Sequence, residues 1–159
     1  MTASAKVFAT LEEFVSCVGT EIGISDYLEI TQERVDQFAT ATSDYQWIHV
    51  DPISAASGPY GTTIAHGLLS LSLIPFFSAQ VFTLTGIHMG INYGFDRVRF
   101  PAPVPVGARI RARMFLKSAE KLEPMNGRNG YQTVITVTIE HEGKARPVCV
   151  ADNVARRYG

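Results

Sequence analysis

The chain has 159 residues, 46% hydrophobic and 18% charged, with a formal net charge of −1. That length allows one domain spanning 1–159 with a sizeable core and argues against two, while the near-neutral balance offers no attraction for nucleic acid or an anionic membrane. Cys17 and Cys149 have no CxxC or Cys/His companions, so neither a disulfide framework nor a structural zinc site has support, and a reducing compartment fits best.

The opening MTASAKVFATLEEF has no apolar signal core, and the longest apolar stretch, Leu68 to Phe77, is broken by Ser70, Ser72 and Pro75. Both features point to a cytoplasmic protein with no membrane contact. Thr10-Leu11-Glu12-Glu13 has capping-box spacing ahead of Phe14, Val15 and Val18, predicting a short helix that packs as a lid. A second helix is expected after Thr31, with Val35, Phe38, Ala39 and Thr42 at helical spacing, fraying near Ser43-Asp44. Pro52, Gly58, Pro59 and Gly61 then punctuate Tyr45 to Gly61 into loop with one short helical turn. From His66 to about Phe82 the run reads as a buried helix kinked at Pro75.

Beyond Gly86 the period changes. Four strands are predicted, Ile87 to Phe100, Ala108 to Lys117, Tyr131 to His141 and Pro147 to Arg157, in largely antiparallel order. Pro101, Pro103 and Pro105 with Gly107 mark a turn, and Pro124 to Gly130 a hairpin loop. One apolar helix followed by long strands gives an α+β domain, a sheet curled around that helix.

Asp44 and His49 stand in Ser43-Asp44-Tyr45-Gln46-Trp47-Ile48-His49-Val50-Asp51-Pro52. Histidine exchanges protons near neutral pH, and a carboxylate beside it can orient a water. Taken alone, the spacing is more often what a helix-capping Asp and a loop histidine leave. Gly61-Thr62-Thr63-Ile64-Ala65-His66-Gly67 leads into the apolar helix, whose first N–H groups lack partners and suit an oxygen gaining negative charge. Gly67 permits close approach, and His66 by itself reads as a helix-start residue. Arg97, Arg99, Arg109, Arg111 and Arg113 alternate along two strands as a solvated face would, with one or two free to meet phosphates. Nothing fixes His49, Asp51 and His66 at metal-ligand spacing.

Three blocks in order, Asp44 to Pro52, Ala65-His66-Gly67, and Val98-Arg99-Phe100-Pro101-Ala102-Pro103-Val104-Pro105-Val106-Gly107, resemble the MaoC-like dehydratases and R-specific enoyl-CoA hydratases. The resemblance implies a hot-dog fold, a long central helix wrapped by a curved antiparallel β-sheet, paired as a homodimer. It implies Asp44 and His49 as the catalytic pair and the Gly67 amide as oxyanion donor, with no cofactor or metal. The substrate would be an acyl-CoA thioester, contacted by Gln46, Trp47, Ala65, His66, Arg99 and Phe100. Many members carry Asn and Pro where this chain has Gln46 and Trp47, a pattern closer to a nodulation-protein-N-like subgroup; Gln46 can hydrogen-bond as Asn does. A hot-dog thioesterase and a non-catalytic acyl-CoA-binding module are the rival expectations, separated by thiol release and by binding without turnover.

Overall fold

A computed structural model describes residues 5–159, so the first four residues of the stretch read for a leader lie outside the described residues. The elements are β1 (Lys6–Phe8), α1 (Leu11–Val15), β2 (Thr20–Ile24), β3 (Leu28–Glu29), α2 (Gln32–Thr42), α3 (Trp47–Val50), α4 (Pro52–Ala56), α5 (Gly67–Ser72), α6 (Ile74–Val81), β4 (Phe82–Leu84), β5 (Met89–Arg99), β6 (Arg109–Met125), β7 (Arg128–His141) and β8 (Cys149–Tyr158).

The main sheet runs β2-β6-β7-β8-β5, with β3 also on β6, and every pairing in it is antiparallel. Alternation sets its faces: Ile110, Ala112, Met114 and Leu116 of β6 and Ile135, Val137 and Ile139 of β7 all point into the core. Against them α6 presents Ile74, Phe77 and Val81, at helical spacing and buried. Each such side chain contributes about 1.5–3 kcal/mol of transfer free energy. A helical layer laid across an antiparallel sheet is the expected hot-dog arrangement.

Three expectations need correction. The buried helix is two segments that meet at Leu73, because Pro75 has no N–H to give and its ring clashes with the carbonyl four residues back, so the chain restarts with Pro75 in the first turn of α6. The hairpin loop shrinks to Asn126-Gly127, both at positive φ (53° and 74°), the geometry whose twist matches the flanking strands, so Pro124 lies inside β6. The proline segment 101–107 is no turn between neighbouring strands: it crosses from the edge strand β5, past β8 and β7, to β6. On the way it is hooked to 63–65 by hydrogen bonds from Ala65 N–H to the Val104 carbonyl (2.8 Å) and from Val106 N–H to the Thr63 carbonyl (2.9 Å).

The Thr10 hydroxyl caps α1 by accepting from Glu13 N–H. Phe14 of that helix stacks on Phe82, 5.1 Å between ring centroids. It thus plugs the core beside the parallel β1–β4 ribbon. No helix among the described residues is long and apolar enough to cross a membrane, and Cys17 and Cys149 are unpaired.

Candidate active site

Helix α2 ends at Ser43, whose left-handed backbone (φ 60°) turns the chain so that Asp44 leaves the helix at once. Its side chain is 55% exposed, and its Oδ1 accepts from Gln46 N–H at 3.4 Å. The segment expected to be mostly loop holds two short helices, because the Asp51 carboxylate accepts from the N–H groups of Ile53 and Ser54 and caps α4. The Ser54 hydroxyl and these N–H groups hold the Asp51 carboxyl below its ordinary range. Asp51 is thereby committed to structure.

Helix α3 buries His49. Its Nδ1 lies 2.7 Å from the Ile64 carbonyl. A carbonyl only accepts, so Nδ1 carries the hydrogen and Nε2 keeps a lone pair. Burial pulls the His49 pKa below 6.5, and the neighbouring His66 adds to this against the opposing pull of the Ile64 carbonyl and Asp44. Gln32 fixes the backbone of the same turn: its Nε2 donates to the His49 carbonyl at 2.8 Å, and its Oε1 accepts from Thr63 at 2.5 Å.

His66 precedes α5 and is buried. Its Nε2 donates to the Asp44 main-chain carbonyl at 3.0 Å, and its ring stacks on His49 with centroids 3.8 Å apart. Its Nδ1 is buried without a hydrogen-bond partner among the described residues. Asp44, His49 and His66 offer ligand atoms within 4.8 Å of one another. The two rings, however, are stacked, 3.8 Å between centroids and only 27° from parallel, so their in-plane lone pairs lie in separate planes instead of converging on one point as metal ligands must.

Gly67 begins α5, and neither its N–H nor that of Leu68 meets a backbone acceptor among the described residues. A Cβ there would come within 2.8 Å of Phe100 ring carbons, so the phenyl ring occupies the space a side chain would need. Two open cavities meet along His49, Gly67 and Phe100. One, of about 390 Å³, holds Asp44, His66, Phe38 and Thr42; the other, of about 340 Å³, is walled by Tyr60, Ala65, Val148, Pro101 and Pro103.

The fold therefore brings Asp44, His49, Ala65, His66, Gly67 and Phe100 together. Gln46 and Trp47 line neither cavity; Trp47 leans instead on Gly58, where a Cβ would meet its ring at 3.0 Å. Arg99 also stands outside both, its Nη1 donating to the Val98 carbonyl. A bulge with Arg97 at φ 55° breaks the expected Arg97/Arg99 alternation. Arg109, Arg111 and Arg113 pair with Glu142, Glu140 and Glu21, so they are not free for phosphates. Sequence reading missed Gln32, Phe38 and Tyr60. A helix-start Gln and isolated aromatics carry no local signal of what they touch.

Comparison with known proteins bears on the family and the fold. A family model described as "MaoC like domain" matches residues 13–146. The chain belongs to that family. It is 47% identical over 151 residues to 3-hydroxyacyl-thioester dehydratase Z of Mycobacterium tuberculosis, covering 95% of this chain and 97% of the relative. It is 40% identical to nodulation protein N of Rhizobium leguminosarum bv. viciae, over 90% and 88% of the two chains. Among solved structures, a monoamine oxidase regulatory protein of an Archaeoglobus superposes with a TM-score of 0.73 at 20% identity, covering 98% of each chain. That likeness carries the fold. The relatives named as dehydratases support a hydro-lyase activity for this MaoC-like chain.

Proposed function

We propose that the protein is an R-specific enoyl-CoA hydratase, adding water to a trans-2-enoyl-CoA or running the reverse dehydration. The observation that carries this reading is the neutral His49 imidazole, its Nε2 lone pair free, beside the exposed Asp44 carboxylate and the Gly67 amide. In the proposed step, Asp44 orients a water and His49 Nε2 takes its proton as the oxygen bonds to C3 of the enoyl group. The electron pair moves onto the thioester oxygen, where the Gly67 N–H stabilises the enolate. C2 then takes a proton from the Asp44/His49 pair, so one water is added and the pair is restored. Ala65, His66 and Phe100 line the reacting groups, whereas Gln46, Trp47 and Arg99 would act from the rim, Arg99 toward the CoA phosphates. The unpaired cysteines suit the cytoplasm.

Among the described residues strand β5 pairs only with β8, leaving its outer edge open beside exposed Ile91 and Tyr93. Pairing that edge with a second copy removes the liability and makes a homodimer. Sedimentation at micromolar concentration tests this; a fully active monomer contradicts it. The activity itself is tested with crotonyl-CoA. The expected result is loss of enoyl absorbance without release of free thiol. Thiol release at the same rate would instead mean thioester hydrolysis, and tight binding with no turnover would overturn catalysis altogether.

A further inference from the structure

Gln32 is half-buried at the start of α2 and lines neither of the cavities at His49. Its side-chain amide is nonetheless fully engaged. Nε2 donates to the His49 main-chain carbonyl at 2.8 Å and to the Asp36 carboxylate at 2.7 Å, and Oε1 accepts from the buried Thr63 hydroxyl at 2.5 Å. A carbonyl and a carboxylate only accept, so the end of the amide that faces them is its NH2 group, and one orientation alone satisfies all three partners.

Thr63 precedes Ile64, whose carbonyl takes the His49 Nδ1 hydrogen. The Ile64 N–H in turn donates to the Ile48 carbonyl at 3.0 Å. The turn that carries His49 and the segment that carries Ile64 are therefore joined directly by two hydrogen bonds, and a third link runs from His49 to Thr63 through Gln32. On its other side, the Thr63 carbonyl accepts from Val106 N–H, which ties the same segment to the crossover. A neutral imidazole has two tautomers, and only the one with its hydrogen on Nδ1 leaves Nε2 free to take a proton. The bond at Nδ1 makes that choice, so the choice depends on how the two segments are spaced.

We infer that Gln32 and Thr63 are positioning residues, a clamp that holds the Ile64 carbonyl against His49 and so keeps His49 in the tautomer that can act as a base. The role in turnover rests on the hydration reading above, whereas the tautomer is read without substrate. Histidine in the intact protein is labelled with nitrogen-15 and its ring nitrogens are followed by NMR, the His49 signals being those lost in His49→Gln; turnover is followed with crotonyl-CoA. The wild-type chain is expected to carry the His49 hydrogen on Nδ1 alone. Gln32→Glu keeps the shape but removes the donor, and Thr63→Val keeps the shape but removes the hydroxyl. Both are expected to show mixed tautomers and a kcat about 10- to 100-fold lower, with KM within about twofold of wild type. Thr63→Ser, which keeps the hydroxyl, should match wild type. Residues that merely packed would tolerate both isosteric changes. A pure Nδ1–H tautomer in either folded variant overturns the proposal, and so do mixed tautomers with wild-type kcat. Should Gln32→Glu fail to fold, Thr63→Val against Thr63→Ser decides by the same criteria. Should the wild-type chain leave crotonyl-CoA unchanged, the hydration reading falls, while the NMR signals still decide whether the clamp sets the tautomer.

Discussion

The rings of His49 and His66 stack face to face, 3.8 Å between centroids, while His66 Nε2 holds the Asp44 carbonyl at 3.0 Å. One imidazole thus touches both members of the proposed acid/base pair. This makes His66 a positioning residue for the water. His66→Ala is expected to lower kcat by about 100-fold with little change in KM, the cost typical of misplacing a reacting group by an ångström. His66→Gln, whose amide N–H can still donate to Asp44, should recover much of it. Steady-state kinetics on the two variants decides, and a His66→Ala enzyme with wild-type kcat would remove the role.

Asp44→Asn and His49→Ala should each cost on the order of 100–10,000-fold in turnover while leaving circular dichroism unchanged. In the proposed step both groups handle one water, so the double variant should be little worse than either single one. Additive losses would indicate separate roles.

His49 fixes the sign of the pH response. Its folded pKa lies below the ordinary 6.5, chiefly through burial, so the unfolded chain binds this proton more readily than the folded one. The stability linked to His49 is therefore fully present above about pH 6.5 and is lost as pH falls through the lowered folded value. Melting curves over about pH 5 to 8 should show Tm falling on the acid side, less steeply in His49→Gln. The acid limb of kcat/KM should likewise lie below 6.5, where His49 is still a base. A limb above that value would contradict the assignment.

Gly67→Ala should act through Phe100. The added methyl would sit 2.8 Å from two ring carbons, so the phenyl must move into one of the cavities that meet there. Activity is expected to fall with the fold retained, and Phe100→Leu in the Gly67→Ala background should restore part of it. Failure of that rescue, with the fold intact, would mean the methyl acts on the amide itself.

Elements with strong periodicity were legible in the sequence: α1 and α2 with their Thr caps, and the cores of β5 to β8. Helix α3, the split at Leu73 and strands β2 and β3 were not. The two strands are short and take their partner from β6, with a register shift at Gly23 that blurs alternation. For the site, the motif blocks marked Asp44, His49, His66 and Gly67. The crossover that sets Phe100 on Gly67, and the carboxylates that claim Arg109, Arg111 and Arg113, depend on residues far apart in the chain. No local pattern encodes them.

Stereochemistry tests the central claim most directly. Asp44, His49 and Gly67 line one cavity, so in the proposed step a water activated there reaches a bound enoyl group from one face only. Crotonyl-CoA is hydrated by the protein, and the product is coupled separately to R- and S-specific 3-hydroxyacyl-CoA dehydrogenases. The account predicts signal with the R-specific enzyme alone; a racemic product, or signal with the S-specific enzyme alone, would contradict it.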